Sequence, residues 1–219
     1  MPAPSDPALV ALTLAYVALL LVGVRGAARN RTLSPFAARK IVHVGIGVGT
    51  IAATALFAAR GWALVAPALF IVLNASGLPR RLVPALARDG RDPALWMFPL
   101  CVVALYLLYW SELNRGPVLV GLCALGLADP AAAAVGRRYG ERRFAGWGHG
   151  RSVEGSAAFL VVTAAAAGAI AMALPTPLPA LRIAVGCGVV GALVEAISPT
   201  GVDNLTAPVA VAAAFRALA

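Results

Sequence analysis

Four carboxylates in this chain, Asp129, Glu154, Glu195 and Asp203, stand at or near the ends of strongly apolar runs. An ionisable side chain held at a membrane boundary is costly, so each is a candidate functional group. The chain has only nine acidic residues. Of the others, Asp6 and Glu112 fall at the opposite ends of the runs, and Asp89, Asp92 and Glu141 sit in basic loops as ordinary solvated charges. A snorkelled or arginine-paired carboxylate is the competing reading for any single one. Four of them on one side, beside an arginine cluster, argue for chemistry.

Three segments bring these carboxylates together with cations and glycines. The first is Arg39-Lys40-Ile41-Val42-His43, followed by Gly45, Gly47 and Gly49. Helical spacing puts Arg39 and His43 on one face, and the glycines allow close approach of a second helix, within this chain or from another. A histidine where a span begins is also a common interfacial residue. The second segment runs from Asp129-Pro130-Ala131 through Gly136-Arg137-Arg138-Tyr139-Gly140 to Gly150-Arg151-Ser152-Val153-Glu154-Gly155-Ser156. Glycines let backbone N–H groups reach phosphate oxygens, and a helix N-terminus favours anions. Arginine matches phosphate geometry bidentately, and carboxylates can hold Mg²⁺ together with substrate phosphates. The third segment, Glu195 to Pro208, places Glu195, Asp203 and Asn204 around a turn. Asp203 or Asn204 is also a natural N-cap for the helix that follows. Taken together, the segments offer cations for a triphosphate and carboxylates for a metal. Phosphoryl transfer relies on those parts, because it works mainly by positioning and charge stabilisation. Neither a Walker-type phosphate loop nor a protein-kinase signature set is present.

The elements that must position these groups are membrane helices. The chain has 219 residues, 61% hydrophobic and 12% charged, about half the charge of a soluble domain. Its 22 glycines and 16 prolines fit membrane helices, where both residues are frequent. Apolar runs near 8–24, 41–59, 62–78, 95–110, 117–135, 155–174 and 180–196 predict seven spans, with a short last helix at 206–219. The fold expected is one all-α integral membrane domain over residues 1–219. The basic residues fix its orientation. With the N-terminus outside, Arg25, Arg29, Arg31, Arg39, Lys40, Arg80, Arg81, Arg88, Arg91, Arg137, Arg138, Arg142, Arg143 and Arg151 all fall inside, leaving Arg60, Arg115, Arg182 and Arg216 outside. The positive-inside rule favours this topology, which puts all four carboxylates on the cytoplasmic face of the cell membrane. The net charge of +9 is thus a signature of orientation, and no nucleic-acid partner is expected. Cys101, Cys123 and Cys187 lie in apolar runs without metal-ligand spacing. No cleavable signal peptide is expected, because the first apolar run lacks a basic lead and is long enough to span.

The segments resemble the signature of the phytol kinase, dolichol kinase and CTP-dependent diacylglycerol kinase family. The matching stretches, in order, are Arg39-Lys40-x-x-His43, Asp129-Pro130-Ala131 with Gly136 and Gly140, Arg151-Ser152-x-Glu154-Gly155-Ser156, and Glu195 with Asp203-Asn204-x-x-x-Pro208. Two positions depart from the pattern. Ala128 stands where glycine more often precedes the aspartate, and Arg151 replaces a lysine. In length the chain is closer to the compact phytol-kinase type than to the longer dolichol kinases.

The resemblance implies a membrane lipid-alcohol kinase that moves the γ-phosphate of a nucleoside triphosphate, typically CTP with Mg²⁺, to a lipid hydroxyl. The acceptor would be an isoprenoid alcohol (phytol, geranylgeraniol or a polyprenol) or diacylglycerol. It implies Asp129, Glu154, Glu195 and Asp203 as metal ligands, with Asp129 or Asp203 accepting the alcohol proton. Lys40, His43, Gly136, Arg137, Arg138, Gly140, Arg151, Ser152, Gly155 and Asn204 would bind nucleotide and phosphate. ATP in place of CTP stays open at this point, as does oligomeric state. Two other classes use related ingredients. A cytidylyltransferase would release pyrophosphate from CTP, and a transporter would carry charges near the midplane and an inverted repeat. No such repeat is evident in the sequence.

Overall fold

The computed structural model describes residues 5–78, 81, 94–144 and 150–219. Arg80, Arg88, Asp89, Arg91 and Asp92 lie outside them. The described residues are helical, without a β-strand; one isolated bridge joins Arg143 to Ser152. In chain order the helices are α1 (Asp6–Arg29), α2 (Pro35–Leu56), α3 (Arg60–Ala75), α4 (Ala94–Tyr109), α5 (Gly116–Cys123), a π-helical turn (Ala124–Ala128), α6 (Asp129–Tyr139), α7 (Val153–Met172), α8 (Ala180–Ile197) and α9 (Asp203–Leu218).

Among the described residues, five stretches are long and apolar enough to cross a membrane: α1, α2, the continuous Gly116–Tyr139 stretch, α7 and α8. Two further apolar helices, Arg60–Ala75 and Trp96–Tyr109, are shorter. Large apolar side chains such as Leu19, Met172 and Leu181 lie exposed on the outside of the bundle, as they would against lipid.

Several helices begin before their apolar runs because polar residues cap them. Ser34 accepts a hydrogen bond from the Ala37 N–H and Pro35 opens α2, which carries Arg39 and Lys40 in the helix rather than in a loop. Ser152 caps α7 by accepting from Gly155 N at 3.1 Å. Ahead of α9, Gly201 turns the chain with φ +91°, and Asp203 Oδ1 accepts from Gly201 N (2.8 Å) and Asn204 N (3.0 Å). These starts put Arg39, Lys40, Asp129, Glu154 and Asp203 at one end of the bundle, joined there by Glu195 from the last turn of α8; it is called here the basic end.

Beside a smaller apolar core of Val24, Ala38 and Val42 between α1 and α2, two large ones hold the helices. One gathers Leu9, Phe57, Leu105, Tyr106 and Leu122; the other gathers Phe159, Ile183, Cys187, Val211 and Phe215. All three cysteines are free and buried. At the closest crossing, backbone meets backbone: a Cβ on Gly47 of α2 would stand 2.5 Å from the Cα of Gly126 in the π turn. Gly45 and Gly49 instead face Leu20 and Tyr16 of α1, and the Tyr16 hydroxyl donates to the Gly45 carbonyl at 2.9 Å. The glycine-rich stretch therefore packs against two neighbours within this chain.

Candidate functional site

Asp129 opens α6 directly after the π turn. The turn shifts the backbone pairing, so that Asp129 N–H bonds to the Ala124 carbonyl. In that register the Leu125 carbonyl would next look to residue 130, but Pro130 has no N–H to give. His43 fills the vacancy, with its Nε2 2.8 Å from Leu125 O. A carbonyl oxygen only accepts, so the ring is protonated on Nε2. The same nitrogen lies 3.7 Å from Asp129 Oδ2, and Lys40 Nζ pairs with that oxygen at 3.1 Å. Phe98 holds the imidazole in an edge-to-face contact, with centroids 4.9 Å apart. Local π-helical segments of this kind recur at functional sites.

Two cavities flank this cluster. The polar one, about 280 Å³, is lined by Asp129, Gly136, Arg137, Arg143, Arg151, Ser152, Gly155, Ser156, Glu195 and Asp203, among others. It opens at the basic end, between α6, α7, α8 and α9. The apolar one, about 230 Å³, is lined by Arg39, His43, Asn74, Phe57 and Tyr106, among others. His43 belongs to the apolar cavity and Asp129 to the polar one.

Arg151 differs from its expected role of gripping phosphate. Its guanidinium is buried and spent on the protein itself. One Nη bonds Glu195, and the other bonds Asp203 Oδ2 at 2.8 Å and the Ser198 carbonyl at 3.0 Å. Ser156 Oγ donates to the second oxygen of Glu195 at 3.0 Å. The Arg151 Nε is buried without a hydrogen-bond partner. Lysine could not make this planar fork, which accounts for arginine at the position.

The expected metal set is only partly assembled. Asp129, Glu195 and Asp203 share the polar cavity. Glu154 is not among its lining residues; it accepts a 3.3 Å bond from Arg142 N instead. No group of three His, Cys, Asp or Glu side chains among the described residues could hold a metal ion unaided. Arg151 occupies Glu195 and Asp203, and Arg142 draws Glu154 aside. What converges suits a hard cation all the same, since Mg²⁺ takes one or two carboxylates and completes its shell with phosphates and water.

The expected phosphate-binding residues divide in the same way. Arg137 lines the cavity and stacks on Phe36 at 4.3 Å. Arg138 turns away, donating to the Tyr139 hydroxyl at 2.9 Å, and Gly140 and Asn204 do not line the cavity. The Asn204 side-chain oxygen is buried without a partner. Gly136 and Gly155 line the cavity and also let α6 and α7 touch: a Cβ on Gly155 would meet the Ala132 carbonyl at 3.0 Å. Arg143, Ser156 and Thr200 also line the cavity. Arg143 passed in the sequence as an ordinary loop cation, and only the pairing of its strand-like backbone with Ser152 brings it over the cavity.

The chain is 29% identical over 210 residues to phytol kinase from Synechocystis sp., an alignment covering 92% of this chain and 88% of the relative. The similarity runs through nearly the whole of both proteins and marks this chain as phytol-kinase-like. No family model and no solved structure matches it.

Proposed function

We propose that the protein is a membrane lipid-alcohol kinase, transferring the γ-phosphate of a nucleoside triphosphate, CTP by resemblance, to the hydroxyl of an isoprenoid alcohol. The observation that carries this reading is the closeness of the two cavities across the His43–Asp129 pair. His43 ends the apolar cavity 3.7 Å from Asp129, which borders the polar one. A lipid chain in the first would present its hydroxyl to a phosphate in the second, at the boundary between hydrocarbon and water. The basic end then faces the cytoplasm, in line with the positive-inside rule, and the N-terminus lies outside.

In this scheme Arg137 and Arg143 contact the phosphate oxygens, and Ser152 sits at the N-terminus of α7, where the helix dipole favours anions. Asp203, with Glu195 beside it, would hold Mg²⁺, which supplies neutralisation of charge on the β- and γ-phosphates. Asp129 accepts the proton of the alcohol. Lys40 and His43 hold the carboxylate aimed at the hydroxyl. The alcohol oxygen bonds to the γ-phosphorus while the bond from that phosphorus to the β–γ bridging oxygen breaks. The nucleoside diphosphate leaves with the electron pair.

The test is transfer of label from γ-labelled CTP or ATP to phytol, geranylgeraniol, a polyprenol or diacylglycerol by purified protein with Mg²⁺. Label in an isoprenoid alcohol, lost in Asp129→Asn, is the expected result. Absence of transfer from folded protein, or full activity in Asp129→Asn, would overturn the reading. Release of pyrophosphate instead of a nucleoside diphosphate would point to cytidylyl transfer.

A further inference from the structure

Arg151 stands where the cation of the polar cavity would bind. Glu195 and Asp203 are the carboxylates proposed to hold Mg²⁺, and the Arg151 guanidinium bonds both of them. All three side chains are almost withdrawn from solvent. A divalent cation and a guanidinium cannot share these oxygens, because like charges in contact repel strongly where the dielectric is low. One of the two must give way.

Charge balance decides when. The described residues lining the cavity include three carboxylates, Asp129, Glu195 and Asp203, and three arginines, Arg137, Arg143 and Arg151. These lining charges cancel as they stand. A bare divalent cation at Glu195 and Asp203 would add positive charge and leave the buried Arg151 without a counter-ion, a costly way to break a buried pair. A nucleoside triphosphate changes the balance, since its phosphate oxygens suit the planar fork of arginine. Metal and nucleotide arriving together give the carboxylates a new cation and Arg151 a new anion.

The local structure leaves the side chain of Arg151 as the part able to move. Its main chain is pinned. The Arg151 carbonyl accepts from Phe144 N at 3.4 Å, Ser152 pairs with Arg143 and caps α7, and Gly150 precedes them with φ +91°. The guanidinium still has an uncommitted donor, because its Nε is buried without a hydrogen-bond partner. Arg137, by contrast, is stacked on the Phe36 ring.

We propose that Arg151 is an exchangeable counter-ion that guards the cation site, excluding a free divalent cation from Glu195 and Asp203 until a nucleoside triphosphate draws the guanidinium onto its phosphates. The proposal rests on the lipid-alcohol kinase reading and adds a control to its polar cavity. Metal and nucleotide then bind as a pair, each tightening the other.

The test follows Mn²⁺, standing in for Mg²⁺, retained by the full chain in equilibrium dialysis without lipid alcohol. Wild type is set beside Arg151→Ala, Arg151→Lys, and Arg151→Lys combined with Asp203→Asn. Without nucleotide, Arg151→Ala should half-saturate at about tenfold or more lower Mn²⁺ than wild type, as for a site whose open form is about a tenth populated or less. Lysine lacks the fork that holds both carboxylates, so Arg151→Lys should fall between the two, and adding Asp203→Asn should abolish its gain. If Arg151→Ala does not fold, Arg151→Lys decides. Saturating β,γ-methylene CTP, which cannot transfer its phosphate, should close the gap between wild type and Arg151→Lys. Equal Mn²⁺ binding by wild type and variants without nucleotide, a gain that survives Asp203→Asn, or a gap that persists with nucleotide would overturn the proposal. None of these readings needs phosphoryl transfer. A protein that transfers no label yet shows the gap, and closes it with nucleotide, loses the kinase reading and keeps the guard; an active protein without the gap loses the guard alone.

Discussion

His43 Nε2 donates to the Leu125 carbonyl, a bond that exists because Pro130 leaves that carbonyl without a backbone donor. The proline thereby fixes which ring nitrogen carries the proton, at a distance of one helix. Pro130→Ala would supply an N–H able to compete for Leu125, or let the π turn relax toward α-helical pairing. The expected result is a fall in phosphoryl transfer of about tenfold, on the scale of one misplaced hydrogen bond, with the fold retained. Parallel assays of transfer and thermal midpoint would check it; unchanged transfer would mean that the His43 contact does not matter to the reaction.

Arg151 joins α7 to α8 and α9 through two carboxylates and a carbonyl. The side chains of Arg151, Glu195 and Asp203 are only 8%, 11% and 13% exposed. Arg151→Ala would strand two buried negative charges, and breaking a buried pair in this way costs about 3–5 kcal/mol. Arg151→Lys keeps the charge but loses the fork, so its loss should be intermediate. Adding Glu195→Gln to Arg151→Ala should return part of the stability. Denaturant titration of the four proteins in detergent gives the comparison.

Gly47 and Gly126 face each other with no room for a side chain. Gly47→Val would force α2 away from the π turn, and overpacking of this kind costs about 1–3 kcal/mol. The same change separates His43 from Leu125, so activity should fall further than stability does. Val48, exposed on the neighbouring position, gives the control: Val48→Ala should leave both near wild type.

Glu154 and Asp129 should part company under the same substitution. Glu154 is committed to Arg142 N, and glutamine still offers an acceptor oxygen, so Glu154→Gln should keep transfer within a few-fold of wild type. Asp129→Asn removes the proposed proton acceptor and should lower transfer by about a hundredfold or more, the usual worth of general base catalysis. Side-by-side initial rates at saturating nucleotide decide the matter. Equal losses would return Glu154 to the reaction.

The membrane-helical fold was legible in the sequence because lipid leaves a chain little choice: long apolar runs divided by basic loops become helices. Asp129, Glu195 and Asp203 were legible too, since charge at a span boundary is conspicuous by its cost. The roles of the cations were harder to read. Arginine suits phosphate and carboxylate equally well, and only the fold shows Arg151 facing Glu195 and Asp203 while Arg143 lines the cavity. The π turn at Ala124–Ala128 has an ordinary apolar composition, so nothing in it announces the altered pairing. Nor could the apolar cavity be read from periodicity. Ala53, Phe57 and Tyr106 look like any residues on the inside of a bundle until the helices leave a space between them.

The contact between Gly47 and Gly126 fixes the spacing of the two cavities through main chain alone. Side chains repack by changing rotamer, but two touching backbones have no such freedom. The junction between lipid and phosphate is therefore a weld rather than a joint. His43 and Asp129, on either side of it, are held in register by main chain and not by a choice of rotamer.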